Sequence, residues 1–149
     1  MKRKGQAAVE FLMTYGWAIL AAVIAIGVLA YFGVFSPGKY VTDSAIVTAP
    51  FYVNAQNINA SGINLELRNN GGEDLNVTSI SIDGSSPDVT CTWTGGREVD
   101  PSNLQAFTAT CASALTVGGT YKGDIAINYR KAGSGIDLTS TGTIAGKIV

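Results

Sequence analysis

The stretch KRKGQAAVEF (residues 2–11), continued by LMTYGWAILAAVIAIGVLAYFGVF (residues 12–35), decides how the rest of the chain is read. Three cations precede Gly5, a single carboxylate stands at Glu10, and no charged residue occurs from Phe11 to Gly38. As a helix, Phe11 to Phe35 covers about 37 Å at 1.5 Å per residue, enough to cross a hydrocarbon core of about 30 Å. Lys2, Arg3 and Lys4 hold the N-terminus on the cytoplasmic side, which sends the C-terminal part outward. Ser36, Pro37 and Gly38 mark the expected helix end or a weak point in it.

The whole chain has 149 residues, room for one ordinary domain beyond such a segment. Its formal net charge is −1, but the charge is unevenly placed. Beyond the basic tip, seven cations face eleven acids, a balance of −4. A basic tip on a mildly acidic body suits a chain handled at a membrane. There is no histidine, so the commonest general base and the commonest metal ligand are both missing. With no metal cluster and no nucleophile motif either, the expectation is a non-enzyme without cofactor or metal. Arg130-Lys131 is too small a patch for nucleic acid.

From about Lys39 the pattern changes to short strands and turns. Ile63, Leu65 and Leu67 alternate with polar residues, as in a half-buried strand. Arg68-Asn69-Asn70-Gly71-Gly72-Glu73-Asp74 reads as a turn. Leu75, Val77, Ile80 and Ile82 follow, and the slip in spacing predicts a β-bulge near Thr78. Val89, Cys91 and Trp93 share one parity, as do Phe107, Ala109 and Cys111. Tyr121 to Tyr129 alternates again. After a turn at 131–135, Ile136, Leu138, Ile144 and Ile148 return on one face. With Ala45 to Val53 as the first strand, the count is about seven. The fold class expected is α+β: a long hydrophobic N-terminal helix, then a small all-β sandwich, immunoglobulin-like in plan. Cys91 and Cys111 form a single disulfide if this part lies outside the cytoplasm; two buried free thiols are the alternative. Asn59-Ala60-Ser61 and Asn76-Val77-Thr78 are N-glycosylation sequons, and Asn76 is expected to face out.

Lys4-Gly5-Gln6 followed by Ala7-Ala8-Val9-Glu10-Phe11-Leu12 and a hydrophobic helix resembles the class III signal of archaeal type IV pilin-like proteins. The likeness covers residues 2–36 and is closest over GQAAVEFLMTYGWAIL. It implies that residues 1–5 are a signal peptide removed by a prepilin peptidase between Gly5 and Gln6. It implies that residues 6–38 form a helix that spans the membrane before assembly and makes a filament core afterwards. Residues 39–149 then form the extracellular domain. The partners implied are further copies in a helical homopolymer, an assembly ATPase with its membrane platform, and the host or abiotic surface gripped. The expected function is subunit of an adhesive pilus. An archaellin of a motility filament and a non-polymerising envelope or substrate-binding protein are the alternatives.

Glu10 has two readings. A carboxylate within a membrane costs about 2.5–3.5 kcal/mol, less near an end. In a first helical turn, the helix dipole offsets about 0.3–1 kcal/mol of this. The sharper reading starts from the cut, which creates a new cation, the α-amine of Gln6. Glu10 can pair with it in its own helix or across to a neighbour, and a buried charge without its partner is costly. Cyclised Gln6 has no amine to offer, and Glu10 then turns to a donor such as Thr14. Ala18, Ala21, Ala22 and Ala25, with Gly16 and Gly27, let helices approach closely. The aromatics at the two ends read as interfacial belts.

Overall fold

A computed structural model describes residues 3–35 and 42–149, with backbone alone at 3 and 4. The chain divides into two compact units, Met1–Tyr40 and Val41–Val149.

Among its described residues the first unit contains one helix, α1 (Arg3–Tyr31), of 29 residues. It ends earlier than the proline and glycine at 37 and 38 suggest; Ser36 to Gly38 lie outside the described residues. Gly33 takes φ +73°. Its N–H donates to the Ala30 carbonyl at 3.0 Å, and the Val34 N–H donates to the Leu29 carbonyl at 3.1 Å. This pair of bonds is a Schellman motif, which satisfies carbonyls that the last helical turn leaves open. A glycine adopts the required left-handed backbone without a Cβ penalty.

Among its described residues the second unit carries eight strands, one more than the sequence count. They are β1 (Ser44–Val47), β2 (Phe51–Ile58), β3 (Gly62–Asn69), β4 (Leu75–Ser86), β5 (Thr90–Val99), β6 (Leu104–Cys111), β7 (Thr120–Lys131) and β8 (Leu138–Lys147). The extra strand arises because the run read as one strand, Ala45 to Val53, is broken by Pro50. Proline has no N–H for a ladder. β1 therefore pairs with β8, whereas β2 turns away to pair with β3. Ile136 is exposed and precedes β8, so it does not share the core face of Leu138, Ile144 and Ile148.

All named pairings are antiparallel, in the order β1-β8-β7-β4-β5-β6-β3-β2. The sheet curls into a nearly closed barrel or sandwich. Ile58 of β2 bridges Ile148 just past β8, and the Val149 N–H donates to the Ile58 carbonyl at 2.9 Å. This covers edges that would otherwise offer bare ladder groups. The predicted bulge is present: register shifts between Val77 and Ser79 against both β5 and β7.

One cluster fills the interior, with Ile63, Leu65, Leu67, Val77, Ile80, Ile82, Phe107, Ile125 and Ile127 all essentially inaccessible. Each such side chain contributes roughly 1.5–3 kcal/mol by leaving water. The Asn/Gly segment after β3 is not a hairpin. β3 pairs with β2 and β6, and β4 pairs with β5 and β7, so residues 70–74 carry the chain from one layer to the other. Fully buried Asn69 anchors this crossing. Its Nδ2 donates to the Glu73 and Val99 carbonyls, each at 2.7 Å, and its Oδ1 accepts from the Gly71 N–H at 2.8 Å.

Candidate functional site

The residues singled out in the sequence fall in both units. Gly5 and Gln6 lie inside α1, so the expected cleavage bond is helical in the intact chain. Met1 and Lys2, the outer part of the expected signal, lie outside the described residues. α1 carries no acidic residue in its first turn, because it begins at Arg3. In the intact helix Glu10 lies beyond the first turn; in a helix that begins at Gln6 it lies near that turn, where the dipole favours an anion. The Thr14 hydroxyl donates to the Glu10 backbone carbonyl at 2.8 Å rather than to its carboxylate. Among the described residues, no hydrogen bond or ion pair reaches the Glu10 carboxylate.

Gly5–Tyr31 is long and apolar enough to cross a membrane, by length and composition. Near the N-terminus, such a helix is compatible with membrane insertion or with a signal sequence. Its large side chains are exposed on every side, from Val9 and Phe11 through Val23, Ile24 and Ile26 to Leu29 and Tyr31. A helix apolar all round is stable in lipid or in a core made with other helices. Phe11 and Tyr15 pack 4.7 Å apart at one end, and Tyr31 and Phe32 5.6 Å apart at the other.

In the β unit, Cys91 and Cys111 are bonded. They stand directly opposite each other, and β5 and β6 share only one other ladder pair, Thr92 with Thr110. The bridge thus closes the thinnest seam in the sheet. Past it the strands separate, and side chains fill the gap. Trp93 meets Phe107 edge-on at 4.8 Å, and the Arg97 guanidinium lies 5.5 Å from the Phe107 ring centroid.

The two sequons sit in different settings. Asn59 opens the β2–β3 turn, where its Oδ1 accepts from the Ser61 N–H, the Ser61 hydroxyl and the Gly62 N–H at 2.9–3.0 Å. Asn76 has the outward parity expected of it, between buried Leu75 and Val77. Its side chain is half-buried, however, and its Oδ1 has no hydrogen-bond partner. No group of His, Cys, Asp and Glu side chains able to hold a metal occurs among the described residues.

Sequence reading missed the helix stop at Gly33 and the anchor at Asn69. Glycine three residues before Ser36 was a visible signal for the first. Asn69 stood in a turn-like run, where nothing distinguishes a buried amide from an exposed one. No protein-family model matches the chain, and no curated protein matches it.

Proposed function

We propose that this chain is the structural subunit of an extracellular filament, an archaeal type IV pilin-like protein of an adhesive pilus. One observation carries the reading: a continuous helix from Gln6 to Tyr31, about 39 Å long, exposed and apolar around its circumference, with one carboxylate near its start. A membrane anchor gains nothing from Glu10, whereas a helix that must find an axial register does.

The β unit is read as the outer coat, immunoglobulin-like in its two antiparallel layers. Its disulfide suits an oxidising exterior. The chain enters the membrane with its basic tip inside. A prepilin peptidase hydrolyses the Gly5–Gln6 bond and frees the Gln6 amine. The assembly ATPase and platform then move the helix from lipid into a bundle of sister helices. There the Glu10 carboxylate meets a Gln6 amine, in its own helix or a neighbour's, and a misregistered helix carries an unpaired charge. Many copies make adhesion multivalent, so weak contacts with a surface add up.

Two substitutions test the scheme in the cell of origin. Gly5→Val blocks processing; a mature subunit of ordinary size from that variant contradicts the assigned cut. Glu10→Gln is cleaved but polymerises poorly; a normal filament yield removes Glu10 from its role. Mass spectrometry of the mature N-terminus adds a third arm, because pyroglutamate there eliminates the amine–carboxylate pair.

A further inference from the structure

The two outer faces of the β unit carry complementary features. On the β2-β3-β6 layer, the ladder register sets Tyr52, Arg68 and Leu104 side by side in one row. Tyr52 is 57% exposed and Leu104 45%, and Arg68 between them is exposed too. Among the described residues, Arg68 has no ion-pair partner. A second guanidinium, Arg97, is held beside β6 by a 2.6 Å bond to the Ala106 carbonyl. Arginine beside an exposed tyrosine is a pairing that interfaces favour, and Leu104 extends the apolar rim next to it.

On the β4-β7-β8 layer, Asp83 and Asp124 are direct register partners. Both are exposed, and neither has an ion-pair partner among the described residues. Like charges placed directly opposite destabilise a sheet, so this pair calls for a cation. Asp83 also acts on the buried Tyr121 phenol, whose pKa is pushed up to about 12 by burial first and by the Asp83 charge second. Next to Asp124 lies a shallow groove of about 360 Å³, bordered by Ser44, Ser85, Lys122 and Thr143. It is roomy enough for one long side chain.

We propose that the Tyr52–Arg68–Leu104 row of one copy docks on the Asp83–Asp124 pair of the next, with the Arg68 guanidinium forked across the two carboxylates. A planar five-donor fork matches such a pair better than a lysine point charge. The two faces belong to opposite layers and cannot meet within one chain. The contact is therefore head-to-tail, and such contacts propagate when they do not close into a ring. The inference rests on the filament reading and gives it a contact between coats, separate from the helical core.

The test uses the full-length, processed chain in filaments. Arg68→Glu is expected to lower the polymerised fraction at least tenfold at low ionic strength. Adding Asp83→Arg and Asp124→Arg to the same chain is expected to restore it to within twofold. A photo-crosslinking amino acid at position 52, in filaments mixed from isotopically distinct subunits, should couple between copies to peptides containing Asp83 or Asp124. Arg68→Glu filaments at wild-type yield overturn the docking and leave the filament reading intact. So do crosslinks confined to other segments, including a contact between two copies of position 52. Wild-type chain that never forms filaments overturns both.

Discussion

Removing the disulfide tests how the β unit is held together. The bridge closes a loop of 20 residues. In the chain-entropy treatment such a loop costs the unfolded state about 11 cal/mol/K, or about 3 kcal/mol at room temperature. The Cys91→Ala, Cys111→Ala double variant also empties a fully buried position at Cys91, which adds about 1 kcal/mol. The second unit, Val41–Val149, has an unfolding entropy of about 0.23 kcal/mol/K by the usual per-residue value. The expected fall in Tm is therefore about 13–17 °C. The assay is thermal unfolding of the full chain in a mild detergent, followed by near-ultraviolet circular dichroism. Hydrogen exchange locates the damage. The Ala112 N–H bonds to the Thr90 carbonyl across the seam, whereas the Cys111 N–H bonds to the Ser61 carbonyl away from it. Ala112 should accelerate more than residue 111. A fall in Tm below about 3 °C, or equal acceleration at both amides, refutes the idea that the bridge holds the seam.

Three further outcomes follow from the geometry. Asn69→Ala removes the bonds donated to the buried Val99 carbonyl and the part-buried Glu73 carbonyl and should cost about 2–4 kcal/mol in denaturant unfolding; a cost under 1 kcal/mol removes Asn69 as anchor of the crossing. Gly33→Val forces a branched side chain into a left-handed backbone, at about 1–2 kcal/mol. NMR in micelles should then show the Val34 amide losing protection, and an unchanged amide contradicts the helix stop. Tyr121 has a folded pKa above its ordinary value, so its neutral phenol contributes stability fully below about pH 10. That contribution is lost as pH rises toward about 12. Tm should fall across that window in the wild type and more weakly in Tyr121→Phe; identical profiles exclude Tyr121 as the group responsible.

Much of this architecture is legible in the sequence because it rests on period and composition. The uncharged run after Glu10 specifies its helix, and alternation specifies the core faces of β3, β4 and β7. The slip at Val77–Ile80 gives the bulge, and the shared parity around Cys91 and Cys111 is consistent with their bridge. Long-range pairing is what alternation leaves out. Nothing local tells residues 70–74 to cross between layers rather than close a hairpin, because the same Asn/Gly chemistry serves both. Pro50 carried the signal that splits β1 from β2, but the apolar run around it masked that break. On the candidate site, the lone charge at the mouth of the apolar run singles out Glu10, whereas the Gly5–Gln6 bond is marked only by the resemblance to the archaeal pilin signal. The pairing of Asp83 with Asp124, and of Arg68 with its apolar neighbours, emerges only once the register is fixed.

The most direct measurement is N-terminal mapping of the mature subunits recovered from the cells that make this chain, any filaments included. The account predicts that they begin at Gln6, free or cyclised, and retain everything from Ala7 through Phe35. Subunits that still begin with Met1, or that lack the apolar helix, contradict it.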